Sequence, residues 1–318
     1  MEPFETLKLP DGLATLYPDR PAWLEGRRGV IGGSDIASLL GLSSFTSPLE
    51  IYYSKVDNVP AVDNEPSEIM HWGNVLEPVI LSEWAKNSGV TYDDRLMIVR
   101  SSTFPFLGGS PDAIQTNRDG DPIRWIEIKN VRSDRYWKDT EIGMPERVYA
   151  QVQHGMLCSG LTEAVVIALV GGSTMIERTV DADAIYQHGI ILTADRWWND
   201  HVRTSTPPAP DGTDSSQRAL NRAWVAPQGS VEIPYTLLTE YKAASETVAE
   251  CKAEQDRIKQ VIEQHMGEAE EATVDGVPVA TWKISTRNTI DSSRLRKEVP
   301  LLAEKYNKAT TTRTFRVL

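Results

Sequence analysis

Asp112, Glu127 and Lys129 are the residues whose types and spacing could do chemistry together. Asp112 ends the run Gly108-Gly109-Ser110-Pro111-Asp112, while Glu127 and Lys129 flank Ile128 in Trp125-Ile126-Glu127-Ile128-Lys129. Between them lies Asp119-Gly120, and an Asp-Gly pair flanked by alternating apolar residues predicts a hairpin turn. A turn there opposes Ile114 to Trp125 and Asp112 to Glu127, with the two carboxylates about 5 Å apart at Cβ on one sheet face. Side chains alternate along a strand, so Lys129 shares that face while Ile126 and Ile128 point to the core. Like charges placed opposite each other destabilise a sheet, and the pair therefore needs a neutralising group. A hard divalent cation fits, because it takes oxygen ligands and lowers the pKa of a bound water. An amine beside it can hold the attacking water or the charge that develops on a phosphate. The bland alternative is a surface hairpin with scattered charges. Ser110-Pro111 ahead of Asp112 and the matched register weigh against it.

The elements that must position these groups are legible on either side. A glycine-bearing turn over 29–34 leads into a short helix over 34–41, with Ser34 at or near its N-cap and Gly41 stopping it. A helix start of this kind offers free N–H groups to an anion. It is not a P-loop, because the Gly-Lys-Ser/Thr ending is missing. Another helix starts at Ser47-Pro48, and residues 59–67 read as a polar, proline-punctuated loop. Residues 71–87 read as a helix with Val75, Leu76, Val79, Ile80 and Trp84 as its core stripe. Pro78 is expected in the first turn or at a kink, and Glu77 sits at the margin of the buried face. After the hairpin, 145–158 reads as a helix with Gly160 beyond its end, and Val148, Tyr149, Val152 and Met156 form its stripe. Gln153 falls on the border of that stripe, and Gln151 points the opposite way. A buried strand over 164–171 and a helix over 185–203 follow.

Three further segments, Arg27-Arg28-Gly29-Val30-Ile31-Gly32-Gly33-Ser34-Asp35, His71-Trp72-Gly73-Asn74-Val75-Leu76-Glu77-Pro78 and Ala150-Gln151-Val152-Gln153-His154, join Pro-Asp and Glu-x-Lys. Together and in this order they resemble the YqaJ-like viral recombinase and phage lambda exonuclease family, within the PD-(D/E)XK nucleases. The resemblance covers roughly residues 24–170. It implies an α/β (α+β) restriction-endonuclease-like core, a central mixed sheet flanked by helices. It also implies a Mg2+-dependent exonuclease, with Mn2+ able to substitute, that degrades duplex DNA 5′ to 3′ and leaves 3′ overhangs. Asp112, Glu127 and the Ile128 carbonyl would bind metal, with Glu77 contacting it directly or through water. Lys129 would assist the water and Gln153 would orient it or a ligand oxygen. Arg28 and Ser34 would hold the 5′ phosphate, with Arg27, Arg132 and Arg135 on the surrounding DNA. Expected partners are duplex DNA ends, a single-strand annealing recombinase and further copies of the chain, a trimeric ring being one arrangement open to it. A phage or prophage protein in the host cytoplasm is the expected setting. A structure-dependent endonuclease of the same fold, or a non-catalytic DNA-end-binding protein, are the competing readings.

Composition bounds these expectations. The 318 residues leave room for more than one domain, and no apolar run reaches the ~18 residues of a membrane helix. The N-terminus lacks a basic-then-apolar signal. Two cysteines imply no disulfide framework and too few thiolates for an iron–sulfur cluster. A net charge of −12 is unusual for a DNA partner, but local patches decide contact.

The expected organisation is a nuclease domain over 1–203, a Pro-rich linker over 204–230 and a C-terminal domain over 231–318. In the last, Leu237, Tyr241, Ala244, Val248, Cys251, Gln255, Ile258, Ile262 and His265 alternate by four and three, a heptad seam. It predicts a long helix that packs on another helix, within the chain or between subunits. Asp275-Gly276 predicts a second hairpin, followed by a helix over 292–306 and a strand over 312–317. From Thr281 to Leu318 nine Lys and Arg stand against three Asp and Glu, a basic tail.

Overall fold

The computed structural model describes residues 5–43, 45–56, 68–138, 142–224, 229–307 and 313–317. The loop expected over 59–67 lies outside them. The chain divides into two units, 1–225 and 226–318.

In the first unit the strands are β1 (Thr6–Leu9), β2 (Gly12–Leu16), β3 (Thr91–Asp93), β4 (Met97–Ser101), β5 (Gly108–Gly109), β6 (Ala113–Thr116), β7 (Pro122–Val131), β8 (Glu163–Val170) and β9 (Thr174–Asp181). The helices are α1 (Arg20–Arg28), α2 (Gly33–Leu39), α3 (Pro48–Lys55), α4 (Glu68–Ser88), α5 (Arg135–Lys138), α6 (Glu146–Ser159), α7 (Ala184–Trp197) and α8 (Asp214–Ala223). Five strands form the central sheet in the order β3-β6-β7-β8-β9, and four others a second sheet, β1-β2-β4-β5. The expected central mixed sheet flanked by helices is what the chain forms: β7 and β8 run parallel while the other neighbours are antiparallel.

The parallel pair explains the composition of β8. A strand covered on both faces has no polar side to show, and Ala164 through Ala168 are all buried. Ile126, Ile128, Val165 and Ile167 pack under α4 on one face, whereas Trp125, Ile114, Ala164 and Val166 belong to the larger core on the other. The return from β7 to β8 passes through α6, which is buried on nearly every side. Gly155 of α6 and Gly109 of β5 let the Trp125 ring lie flat between them: a Cβ on either would stand 2.4 or 2.7 Å from the indole. The left-handed Gly160 (φ 73°) ends α6, the conformation that favours glycine there.

The stripe expected for α4 needs correction. Its buried residues are Ile80, Leu81, Trp84 and Ala85, with Leu76 partly covered, and Val75 and Val79 are exposed. The stripe runs along 76, 80 and 84, and its second flank lies toward 77 and 81 rather than 75 and 79. Pro78 sits inside the helix, so of its two expected places the first turn falls away. It therefore has no N–H to give the Asn74 carbonyl. The segment expected as linker contains α8, which packs on α3. Ser215 donates to Glu50, and Arg218 and Arg222 form ion pairs with the same carboxylate.

The second unit contains α9 (Tyr235–Met266), β10 (Glu271–Val274), β11 (Val277–Thr281), α10 (Ser292–Glu298) and α11 (Pro300–Lys305). The Asp275-Gly276 hairpin forms as expected, with φ of 51° and 77°, the left-handed pair of a type I′ turn. The helix expected over 292–306 is instead two, broken at Val299-Pro300, where proline cannot donate the helical hydrogen bond. Residues 313–317 lie in no strand.

Candidate active site

The hairpin register matches the one expected near the acids. Ile114 pairs with Trp125 and Ala113 with Ile126, and the Asp112 N–H donates to the Ile126 carbonyl. Asp112 and Glu127 are therefore neighbours across the ladder. The slip between Gln115 and Thr116 lies beyond the site and is absorbed at the turn, where Asn117 accepts from the N–H groups of Asp119 and Asp121. Upstream, Trp23 Nε1 donates to Ser110 Oγ at 3.0 Å and Ser110 Oγ donates to the Met97 carbonyl at 2.7 Å. These bonds tie the Ser-Pro-Asp bend to α1 and β4, and so aim Asp112.

Glu77 from α4, Asp112, Glu127 and Lys129 line one cavity of about 420 Å³, with Arg20, Arg27, Ser34, Asn74, Gln151 and His154. Glu127 is 5% exposed and ion-paired to Lys129. Asp112 accepts the Ile128 N–H at 2.5 Å. Burial pushes the Asp112 carboxyl well above the usual carboxylate range, and the adjacent Glu127 charge adds to the push. Burial also raises Glu77, which is hydrogen-bonded to Asp112 and repelled by Glu127. For Lys129 burial works against the ammonium, but the charges of Glu127, Asp112 and Glu77 outweigh it and raise its pKa. Three carboxylates line the cavity beside one another, and Lys129, Arg20 and Arg27 line it with them.

The adjacent carboxylates are oxygen donors of the kind a hard divalent cation takes. Among the described residues no three His, Cys, Asp or Glu side chains are arranged so that they could hold a metal ion by themselves. The donors are instead an adjacent carboxylate pair, a third carboxylate bonded to one of them and the backbone of β7. Mg2+ suits such a set, since it is held through one or two carboxylates and completes its shell with water and substrate phosphate oxygens. Structural zinc, with its four tetrahedral N or S ligands, does not suit it.

Positive charge stands on the α1 side of the cavity. The Arg27 guanidinium lies 4.7 Å and that of Arg20 5.5 Å from the centre of the Trp23 ring, a cation–π arrangement that gives both arginines one platform. Lys55 ion-pairs with Asp35 at 2.8 Å, both side chains being buried, and Asp35 accepts the Gly32 N–H at 2.9 Å. Burial works to raise the Asp35 pKa, but Lys55 and Arg27 outweigh it and lower it.

Several assigned roles need correction. Gln153 is fully buried and faces away from the cavity: its Nε2 donates to the Asp181 carbonyl at 2.8 Å, and its Oε1 accepts from Asp183 N–H and Gln187. Gln151, set aside because it points away from the α6 stripe, lines the cavity. The reason is that α6 is covered on both faces, so the side opposite its stripe meets α2. Arg28 donates to the Val56 carbonyl at 2.7 Å, whereas Arg27 lines the cavity. Ser34 lines the cavity too, but the N-cap of α2 is Gly32. Arg132 and Arg135, expected on the DNA around the site, are exposed and stand outside the cavity lining. Trp23, Arg20, Asn74 and His154 had no signal of their own, although Asn74 stands one helical turn before Glu77. His154 Nε2 lies 3.3 Å from the Gly108 carbonyl, and burial lowers its pKa to about 4, so the ring is neutral at pH 7.

Residues 22–162 match the model of the YqaJ-like viral recombinase domain. The uncharacterized protein YqaJ of Bacillus subtilis strain 168 is 27% identical over 303 residues, 93% of each chain. Among solved structures, the chain is similar to the alkaline exonuclease LHK-Exo of Laribacter hongkongensis. The TM-score is 0.48 and the identity 15%, over 59% of this chain and 94% of that one. A phage-related exonuclease of Haemophilus somnus 129PT gives a TM-score of 0.39 at 10% identity, over 55% and 96% of the two chains. Glu77, Asp112 and Glu127, the three carboxylates of the cavity, all lie within the segment 22–162 that is similar to the YqaJ-like viral recombinase domain.

Proposed function

We propose that this protein is a Mg2+-dependent exonuclease that digests one strand of duplex DNA from its 5′ end and leaves a 3′ overhang for an annealing partner. The observation that carries this reading is the convergence of Glu77, Asp112, Glu127 and Lys129 on one cavity whose α1 side presents Arg20 and Arg27. Neighbours named as exonucleases and the viral recombinase family agree with it.

Asp112, Glu127 and the Ile128 carbonyl would hold the cation, and Glu77 would reach it directly or through water. Bound there, Mg2+ supplies a water of lowered pKa and offsets charge on the phosphate. Lys129, kept protonated by three carboxylates, positions that water or the phosphate oxygen facing it. Arg27 and Arg20, braced on Trp23, hold the phosphates of the strand, and Ser34 offers a hydroxyl beside them.

The test is a linear duplex labelled separately at each end, with and without 5′ phosphate, in Mg2+ or chelator, beside a covalently closed circle. Early loss of the 5′ label, faster with phosphate, with the circle uncut and chelator blocking digestion, is the expected result. Cutting of the circle would replace the exonuclease with an endonuclease. No Mg2+-dependent digestion of any substrate would end the enzyme reading.

A further inference from the structure

We infer that α9 packs as a parallel coiled coil on the same helix of a second copy of this chain. The inference is independent of the nuclease reading, because it rests on the 226–318 unit alone.

The helix spans 32 residues, about 48 Å at ~1.5 Å per residue and more than the three to four heptads a coiled coil needs. Its seam places Tyr241, Val248, Gln255 and Ile262 at a positions and Leu237, Ala244, Cys251, Ile258 and His265 at d. No residue of α9 is buried. Val248 is 68%, Ile258 47% and Ile262 43% exposed. Within the 226–318 unit no other described helix packs along α9, and Phe315 lies edge-on to Tyr241 at 5.4 Å. A 32-residue helix with an apolar stripe and no neighbour has its main source of stability still to be supplied.

The flanking charges say what supplies it. The positions beside the seam carry Glu240 and Glu254 at g and Lys252 and Lys259 at e, and such residues set partner choice and orientation. In a parallel pair a g residue faces the e residue five positions on in the other helix. Glu254 then meets Lys259 of the second copy, twice by symmetry, and Val261 meets Met266, which widens the apolar seam. An antiparallel pair sets e against e and brings lysine to lysine. Gln255, polar at an a position, fixes the register at some cost in stability. In the parallel register the two Gln255 amides meet each other, whereas in the antiparallel one each meets Cys251.

Full-length chain decides this by cross-linking. In a Cys251→Ser background, Ile258→Cys puts a thiol at a d position and Gln260→Cys puts one on the outer face. Cys158 is buried and stays. Mild oxidation is expected to convert Ile258→Cys to a disulfide dimer at least tenfold more than Gln260→Cys. Adding Glu254→Lys lowers that yield several-fold, and adding Lys259→Glu as well restores it. The double exchange does not give Arg257 back its partner within the helix, nor Glu263 its lysine. Recovery therefore reports the contact between chains. If far-ultraviolet circular dichroism shows that Ile258→Cys has lost helix, Leu237→Cys at another d position takes its place. A d-position thiol that cross-links no better than Gln260→Cys overturns the inference. So does cross-linking that needs Val248→Cys and Ile258→Cys together, the mark of an antiparallel pair.

Discussion

The contrast between Gln153 and Gln151 gives the sharpest separation of fold from chemistry. Gln153 is fully buried and its amide bridges the end of β9 to the start of α7, through the Asp181 carbonyl and the Asp183 N–H at 2.8 and 2.9 Å. Gln153→Ala removes these two part-buried hydrogen bonds, each worth about 1 kcal/mol, and empties the space of a fully buried side chain, which adds about 1–2 kcal/mol. A loss of about 3–4 kcal/mol follows. For a unit of this size each kcal/mol moves Tm by about 2–4 °C, so the midpoint should fall by roughly 10 °C. Gln151 lines the cavity and has no comparable set of bonds, so Gln151→Ala should move Tm by less than about 2 °C and slow DNA digestion instead. Thermal melts in Mg2+-free buffer, beside digestion of linear duplex well below either midpoint, read the two effects separately. A Gln153→Ala protein that melts like the parent yet fails to digest would refute the reasoning, because it would return that glutamine to the chemistry.

The remaining predictions concern charge and packing. Asp112→Asn removes a carboxylate held above its usual pKa by burial and by Glu127. Metal-free stability should stay level or rise by about 1 kcal/mol while digestion falls at least 100-fold, checked by urea melts and a nuclease assay. Lys129→Ala should abolish digestion without unfolding the chain, and digestion that survives it would reassign the residue. His154 is neutral in the fold with a pKa near 4 against 6.5 for the free group. The unfolded chain therefore takes up its proton first as pH falls. Stability present above about pH 6.5 should decline toward pH 4 by up to about 3 kcal/mol, at ~1.4 kcal/mol per pH unit, and urea midpoints in His154→Gln should flatten over that window. Gly155→Ala drives a methyl into the Trp125 ring and should cost about 1–3 kcal/mol, read as a lower Tm with altered tryptophan fluorescence.

What could be read from the sequence divides by the range of the interaction that decides it. The Asp-Gly turn, the alternation in Trp125 to Lys129 and the ends of α6 are set by residues a few positions apart. They placed Asp112 beside Glu127 before any fold was in hand. The side chains of α6 were harder. A helix stripe reports one buried face, and α6 has two: one against β7 and β8, the other against α2. A periodicity that names Val148, Val152 and Met156 as inward makes Gln151 outward by default, and outward here means toward the cavity. Arg27 and Arg28 posed the same problem one residue apart, because only the position of Trp23, and its bond to Ser110 in the bend before Asp112, decides which guanidinium faces the acids. Strands β1, β2, β4 and β9 pair with partners distant in sequence or have short, irregular patterns, and they went unread. The groups that would do chemistry are thus written locally. The groups that brace them (Trp23, Asp35 with Lys55, and the Gln153 bridge) come from closures dozens of residues long. A sequence can therefore show what a site is made of well before it shows which side chains hold it still.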